Sequence, residues 1–291
     1  MKNGFVADIS DRIKGGALAV HKINGGGDLA LKVEEWGNPE GQPILFIHGW
    51  SQSRLCWLKQ YQDQKLQRFR MVAFDLRGHG DSEAPTGDAF YNDYSLWADD
   101  VHSVIDELDL TNSILVGWSY GGIVITDYVK KYGDENLGGV NFVCAATNLT
   151  EPAMGTFLGP GILDHFEAAT SEDESIHASA MEKFLRGCFY KPISESDFQS
   201  ALSYNREVRP DVRLALVTRD IDNSPVLGQM SCPILISQGR EDTIVLPAMA
   251  EAIFSNSKNA SISWFNDVGH APFVEDVERF NKELETFVDG L

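Results

Sequence analysis

Gly117-Trp118-Ser119-Tyr120-Gly121 constrains this chain more than any other stretch. It follows the short apolar run Ser113-Ile-Leu-Val116, which reads as a buried strand, and precedes a plausible helix from Gly121 that ends on Gly133. The result is a strand, a sharp turn and a helix with a serine at the apex, the context that the G-x-S-x-G pattern requires. A residue held in so tight a turn is crowded by the chain two positions to either side, so both flanks must be small. Gly122 leaves further room. In a chain with 26 glycines the five residues alone are also compatible with an ordinary Gly-rich turn, and it is the flanking elements that separate the two readings.

At 291 residues the chain can form one large core with an insertion. Its 24 basic and 43 acidic residues leave a net charge of -19, which makes nucleic acid and anionic membrane surfaces poor partners. Cys56, Cys144, Cys188 and Cys232 are widely spaced without a C-x-x-C pair, so buried free thiols are expected rather than a metal site or disulfides. Met1 to Val20 has no continuous apolar segment of leader length, and no apolar run reaches membrane-spanning length. A cytoplasmic protein with no membrane partner is therefore expected; oligomeric state leaves no mark in the sequence.

Leu18 and Val20, then Leu29, Leu31 and Val33, alternate with polar residues on either side of Asn24 to Gly27, a hairpin signal at a sheet edge. Ile44 to Ile47 is a strand buried on both faces that ends at His48-Gly49-Trp50. A helix from about Ser53 to Gln67, a strand Met71 to Phe74, a glycine-punctuated loop Asp75 to Ser82 and a helix Tyr94 to Leu108 follow. Past the elbow, strands are expected over Val140 to Ala145, Pro233 to Gly239 and Ile262 to Phe265, with helices near Pro247 to Phe254 and at the C-terminus. Residues 148–225 carry apolar side chains at helical spacing and no clear buried strand, which reads as a lid of roughly four helices. The alternation implies an α/β fold: a mostly parallel, twisted sheet of about eight strands with helices on both faces. The core comprises residues 1–147 and 226–291, with the helical lid, 148–225, inserted between the sixth and seventh strands.

In open parallel sheets the reactive groups gather at the carboxyl ends of strands. Those loops hold Ser119, then Arg240-Glu241-Asp242, then Gly269-His270, in the chain order Ser, Asp, His. A serine hydroxyl needs a general base, here His270, and the imidazole needs a carboxylate to fix its tautomer and steady its cation, here Asp242. Glu241, Asp267 and Glu151 are rival acids. His48 and His79 read as structural, with His48 holding the loop after its strand; Asp75 and Arg77 read as organisers of a loop.

His48-Gly49-Trp50, Asp75 to Ser82, Gly117 to Gly121, Gly239 to Asp242 and Gly269-His-Ala-Pro-Phe273, present together in this order, resemble the α/β-hydrolase superfamily from about Leu18 onward. Within it the chain is similar to lidded serine esterases and to the non-haem haloperoxidases, or perhydrolases, whose loop also reads His-Gly-Trp. The resemblance implies that the backbone N–H groups of Trp50 and Tyr120 form an oxyanion hole. Those perhydrolases usually carry proline next, where this chain has Ser51. Dehalogenase and epoxide hydrolase branches place aspartate at the elbow, which Ser119 argues against.

The expected activity is hydrolysis of a neutral, fairly hydrophobic carboxylic ester through an acyl-enzyme, with a small-molecule substrate and with no metal or organic cofactor required. Lactonase, carbon–carbon hydrolase and perhydrolase chemistry are alternatives on the same three residues, and a ligand receptor with little turnover is an alternative of another class. Trp50, Trp118, Phe157, Phe166 and Phe184 are the substrate-binding candidates; for each lid aromatic the rival role is packing within the lid. Were a substrate carboxylate bound, Arg54, Lys183, Arg206 and Arg213 are the candidate partners.

Overall fold

The computed structural model describes residues 16–291; of the stretch Met1 to Val20 inspected for a leader, residues 1–15 lie outside the described residues. Eight strands form one sheet, which from one edge to the other runs as follows. β1 (Ala19–Asn24) and β2 (Ala30–Gly37) are the expected hairpin, and β1 is the sheet edge. β2 also pairs antiparallel with β4 (Arg70–Phe74). From there β3 (Pro43–Ile47), β5 (Ser113–Trp118), β6 (Leu137–Val143), β7 (Ile234–Gly239) and β8 (Ala260–Phe265) pair in parallel.

Burial on both faces explains the unbroken apolar runs. In β3, Ile44 and Phe46 join an apolar cluster with Trp57, Phe280 and Leu284, whereas Leu45 and Ile47 join a second with Trp97, Ile123 and Met249. The helix Val277–Asp289 thus covers one face, and Tyr94–Glu107, Gly121–Tyr132 and Pro247–Asn256 cover the other. Because β3 to β8 are parallel, the loops bearing Trp50, Asp75, Ser119, Asp242 and His270 all leave the sheet at one edge.

No single helix spans Ser53 to Gln67; the chain forms a 3-10 turn Arg54–Trp57, one helical turn Leu58–Tyr61 and a second 3-10 turn Leu66–Arg68. The break has a cause: the Asp63 carboxylate accepts the amides of Lys65 and Leu66 at 2.9 and 3.1 Å, an alternative to helical bonding. β6 starts three residues before Val140, through Gly138 and Gly139, which have no side chain to announce a strand. Between β6 and β7 the described residues form seven helical segments rather than four. Pro152, Pro160, Pro210 and Pro225 each stand in the first turn of one of these segments, where a missing N–H is tolerated, and so divide the stretch into short helices. No helix among the described residues is long and apolar enough to cross a membrane.

The loop after β4 is organised by ions. Arg77, fully buried, donates to both carboxylate oxygens of Asp100 at 2.7 Å and to the carbonyls of Gly26, Phe90 and Leu96. Asp75 accepts the backbone amides of Arg54 at 2.8 Å and of Asp81 at 2.9 Å, and pairs with the Arg54 guanidinium. Removing one member of such a pair strands a charge in the interior. Asp100→Ala should therefore cost about 3 to 5 kcal/mol in denaturant unfolding; a loss below about 1 kcal/mol would show that Arg77 is satisfied without it.

Candidate active site

Ser119 sits at the apex with φ +56, in the left-handed region that side chains other than glycine rarely adopt. Its backbone is locked on both sides: its N–H donates to Val143 O, and its own carbonyl accepts from Gly122 and Ala146, all at 3.0 Å. The surrounding glycines are there for want of space. A Cβ on Gly117 would stand 2.5 Å from Ile125 Cδ1, one on Gly121 2.5 Å from Ile47 O, and one on Gly122 2.6 Å from Ala145 Cβ. The small residues read from the pattern thus let the elbow press against β3 and β6.

His270 Nδ1 lies 2.8 Å from Asp242 Oδ2, with both side chains buried. Asp242 is fixed in turn by the amides of Ile244 and Val245 on Oδ1, at 2.8 and 3.1 Å, and by Gln238 Nε2 at 3.2 Å on Oδ2. The His270 amide donates to Cys188 O at 2.8 Å, and its carbonyl accepts the Trp118 indole N–H at 2.8 Å. Of the rival acids, Glu241 bonds the Val268 amide at 3.1 Å and Asp267 is exposed beside Lys191, 3.4 Å away. Cys144 Sγ also approaches, so that ligand atoms of Cys144, Asp242 and His270 lie within 4.8 Å of one another. That trio is already internally satisfied: the thiol accepts the Gly239 amide at 3.5 Å, burial raises its pKa well above the usual thiol range, and both Asp242 oxygens carry donors. It reads as packing around a carboxylate–imidazole pair. Among the described residues no hydrogen bond joins Ser119 Oγ to His270.

The loop after β3 faces the elbow closely enough that a Cβ on Gly49 would come within 2.9 Å of Ser119 Cβ. Neither the Trp50 nor the Tyr120 amide donates a hydrogen bond among the described residues, so both N–H groups stay free on residues that line one cavity with Ser119. Two histidines hold this loop. His48 Nε2 accepts the Leu76 amide at 3.0 Å and its Nδ1 meets Gly49 O at 2.8 Å; His79 Nε2 accepts the Ser51 amide at 3.2 Å and its Nδ1 meets Arg77 O at 2.9 Å. Each ring thus donates from Nδ1 and accepts at Nε2, as a neutral imidazole does. Both are fully buried, which pushes each pKa down to about 3.

Ser119 opens into a cavity of about 530 Å³ walled by Trp50, Tyr120, Leu158, Ile162, Phe166 and Val245 among others. A second cavity, about 640 Å³, lies on the other flank of the His270 loop, with Trp118, Phe189, Tyr204 and Phe273 in its wall but not Ser119. Of the five aromatic candidates, Trp50 and Phe166 therefore line the serine's cavity and three do not. Trp118 faces the other way, against Phe273. Phe184 packs edge-on to Trp50, ring centroids 5.2 Å apart, and Phe157 packs against the core. None of the four cations considered for a carboxylate lines this cavity. Arg219 does; it donates to the Tyr120 hydroxyl at 2.8 Å and to Asp127 at 2.6 Å. No motif marks Arg219, which enters the site only because the chain after helix Pro210–Val217 folds back onto the elbow helix.

The α/β-hydrolase family profile matches residues 44–283. A putative aryl esterase from Burkholderia cenocepacia has a TM-score of 0.89 and 32% identity, covering 93% of this chain and 98% of its own. The esterase RhEst1 from Rhodococcus sp. ECU1013 has a TM-score of 0.87 and 31% identity, covering 94% and 100%. The non-heme chloroperoxidase CPO-A1 of Kitasatospora aureofaciens is 36% identical over 277 residues, 88% of this chain and 94% of that protein. The chain belongs to the α/β-hydrolase family.

Burying two neutral histidines makes folding sensitive to acid. Their folded pKa, about 3, lies below the ordinary 6.5, so between those values the unfolded chain binds protons that the folded one refuses. Their contribution is complete above about pH 6.5 and is lost as pH falls towards 3, at up to about 1.4 kcal/mol per pH unit per histidine. His79→Gln should flatten the slope of unfolding free energy between about pH 6.5 and 4.5 by that amount. An unchanged slope would mean that His79 is protonated in the fold.

Proposed function

We propose that the protein is a serine hydrolase of neutral, fairly hydrophobic carboxylic esters, in which Ser119, His270 and Asp242 form the catalytic triad. The observation that carries this reading is the pair of free amides, Trp50 and Tyr120, beside a strained serine whose cavity wall is mainly apolar. Ser119 Oγ attacks the ester carbonyl while His270 takes its proton, and the developing oxyanion accepts from the two amides. Protonation of the leaving oxygen by His270 releases the alcohol. Water, deprotonated by the same imidazole, then attacks the acyl-enzyme; the acid departs and Ser119 recovers its proton. Asp242 holds the Nδ1–H tautomer and stabilises the imidazolium that forms twice per cycle. Residues 148–225 act as a cap: Leu158, Ile162 and Phe166 close the cavity over the serine. Arg219 supports neutral rather than anionic substrates, because its charge is already matched by Asp127 while Glu151 and Asp220 add negative charge to the same wall.

A peroxide-using variant of the same acyl transfer is the second reading, favoured by the identity to the chloroperoxidase. Against it, Ser51 has φ +58, a conformation closed to the proline that such perhydrolases usually carry there.

Ser119→Ala and His270→Ala should each lower kcat on nitrophenyl esters by about 10³- to 10⁶-fold, and the double variant should lose little more. Near wild-type turnover in His270→Ala would refute the triad. Along a neutral acyl series kcat/KM should rise by about fourfold per methylene until the cavity fills, then fall. Carboxylate analogues should be poorer at each length, and peroxide should not raise turnover; a best rate on acetate would contradict the apolar cavity.

A further inference from the structure

Arg213 is the one fully buried arginine that no carboxylate pairs with among the described residues. Burial alone acts on its guanidinium, lowering the pKa to about 10, so the group stays charged at neutral pH in a site without a counter-ion. An isolated buried cation is costly unless its donors are well used. Here they are spread over three separate segments. Nε donates to Ser51 Oγ at 3.0 Å, one Nη to Ala169 O at 3.1 Å and the other to Asn205 O at 2.9 Å. Its own carbonyl accepts the Trp50 indole N–H at 3.0 Å.

Ser51 is the residue these contacts constrain most. Its φ of +58 is unfavourable for a side chain, and such strain persists only where the surroundings over-determine it. Every polar atom of Ser51 is engaged: its N–H by His79, its carbonyl by Asn205 Nδ2 at 2.9 Å, its hydroxyl by Arg213 and by Asn205 O at 3.3 Å. The residue before it supplies one of the two free amides.

We propose that Arg213 is a positioning residue that fastens Trp50 and Ser51 to the helical segment between β6 and β7 and so aims the Trp50 amide at the reacting carbonyl. This rests on the esterase reading of the site. The guanidinium carries its donors on three separate nitrogens in a rigid planar fork, so one side chain meets acceptors on three segments; an ammonium has all its donors on a single nitrogen. The helical segment thereby sets the catalytic constant as well as the shape of the cavity, and the strained turn after β3 is held from outside the sheet.

The test uses Arg213→Met, Arg213→Lys and Ser51→Ala, with kcat, KM, melting temperature and the affinity of an arylboronic acid, whose tetrahedral serine adduct places an oxygen in the oxyanion position. A small misalignment of a catalytic group costs up to about 100-fold, so both Arg213 variants should lose about 10- to 100-fold in kcat and a matching factor in boronate affinity, with KM changed by less than about threefold. Ser51→Ala, which keeps the guanidinium, should lose about three- to tenfold in both, and the Arg213→Met/Ser51→Ala double variant should be no worse than Arg213→Met alone. If the Arg213 variants do not fold, Ser51→Ala decides. Wild-type kcat and boronate affinity in Ser51→Ala, additive losses in the double variant, or a loss confined to KM or to melting temperature would overturn the proposal. A wild-type protein that turned over no ester would overturn the esterase reading instead.

Discussion

The structure depends first on the strained turn at Ser119. A left-handed serine between a strand and a helix is tolerable only if the elements on either side press close enough to hold it, and they do so through absent side chains. Gly121 lets the elbow helix meet the end of β3, Gly122 lets it meet the chain after β6, and Gly117 makes room for Ile125 of the same helix. β3 and β6 are the two strands that flank β5, so the elbow is held from both sides. The same closeness brings the loop after β3 against the serine and leaves the Trp50 and Tyr120 amides without internal partners.

Around that turn the polar groups of the interior are arranged with little slack. Arg54 is shared by Glu34, Asp75 and Asp81, Arg77 is clasped by Asp100, and Arg219 by Asp127. The paired charges brace the loops after β3 and β4 and the elbow helix. His48 and His79 do similar work uncharged, each spanning two backbone groups through a neutral ring. Arg213 departs from the pattern, a charge matched by dipoles alone, and it does so where the helical segment meets the loop after β3.

Much of this was legible in the sequence because it rests on local rules. The elbow, the hairpin at the sheet edge, the strand runs and the positions of Ser119, Asp242 and His270 at strand ends follow from apolar periodicity and glycine placement, and the structure brings His270 and Asp242 into contact. What could not be read depends on direction in space. Trp118 alternates away from Ser119 into a different cavity, although the two are neighbours in sequence. Asp63 breaks an otherwise helical pattern through its side chain, and the Gly138-Gly139 start of β6 has no hydrophobic signal. Arg219 reaches Tyr120 and Arg213 reaches Ser51 across more than 90 residues of sequence, contacts that no local pattern announces.

In the proposed reaction the acyl group is carried on a covalent bond to Ser119. Rapid quenching of the enzyme during turnover of a slow neutral ester, followed by intact-mass and peptide-mapping mass spectrometry, would trap that species. The enzyme should gain the mass of the acyl group alone, on Ser119, and lose it again as substrate is exhausted. Turnover with no acylated species, or with the acyl group on another residue, would rule out Ser119 as the nucleophile.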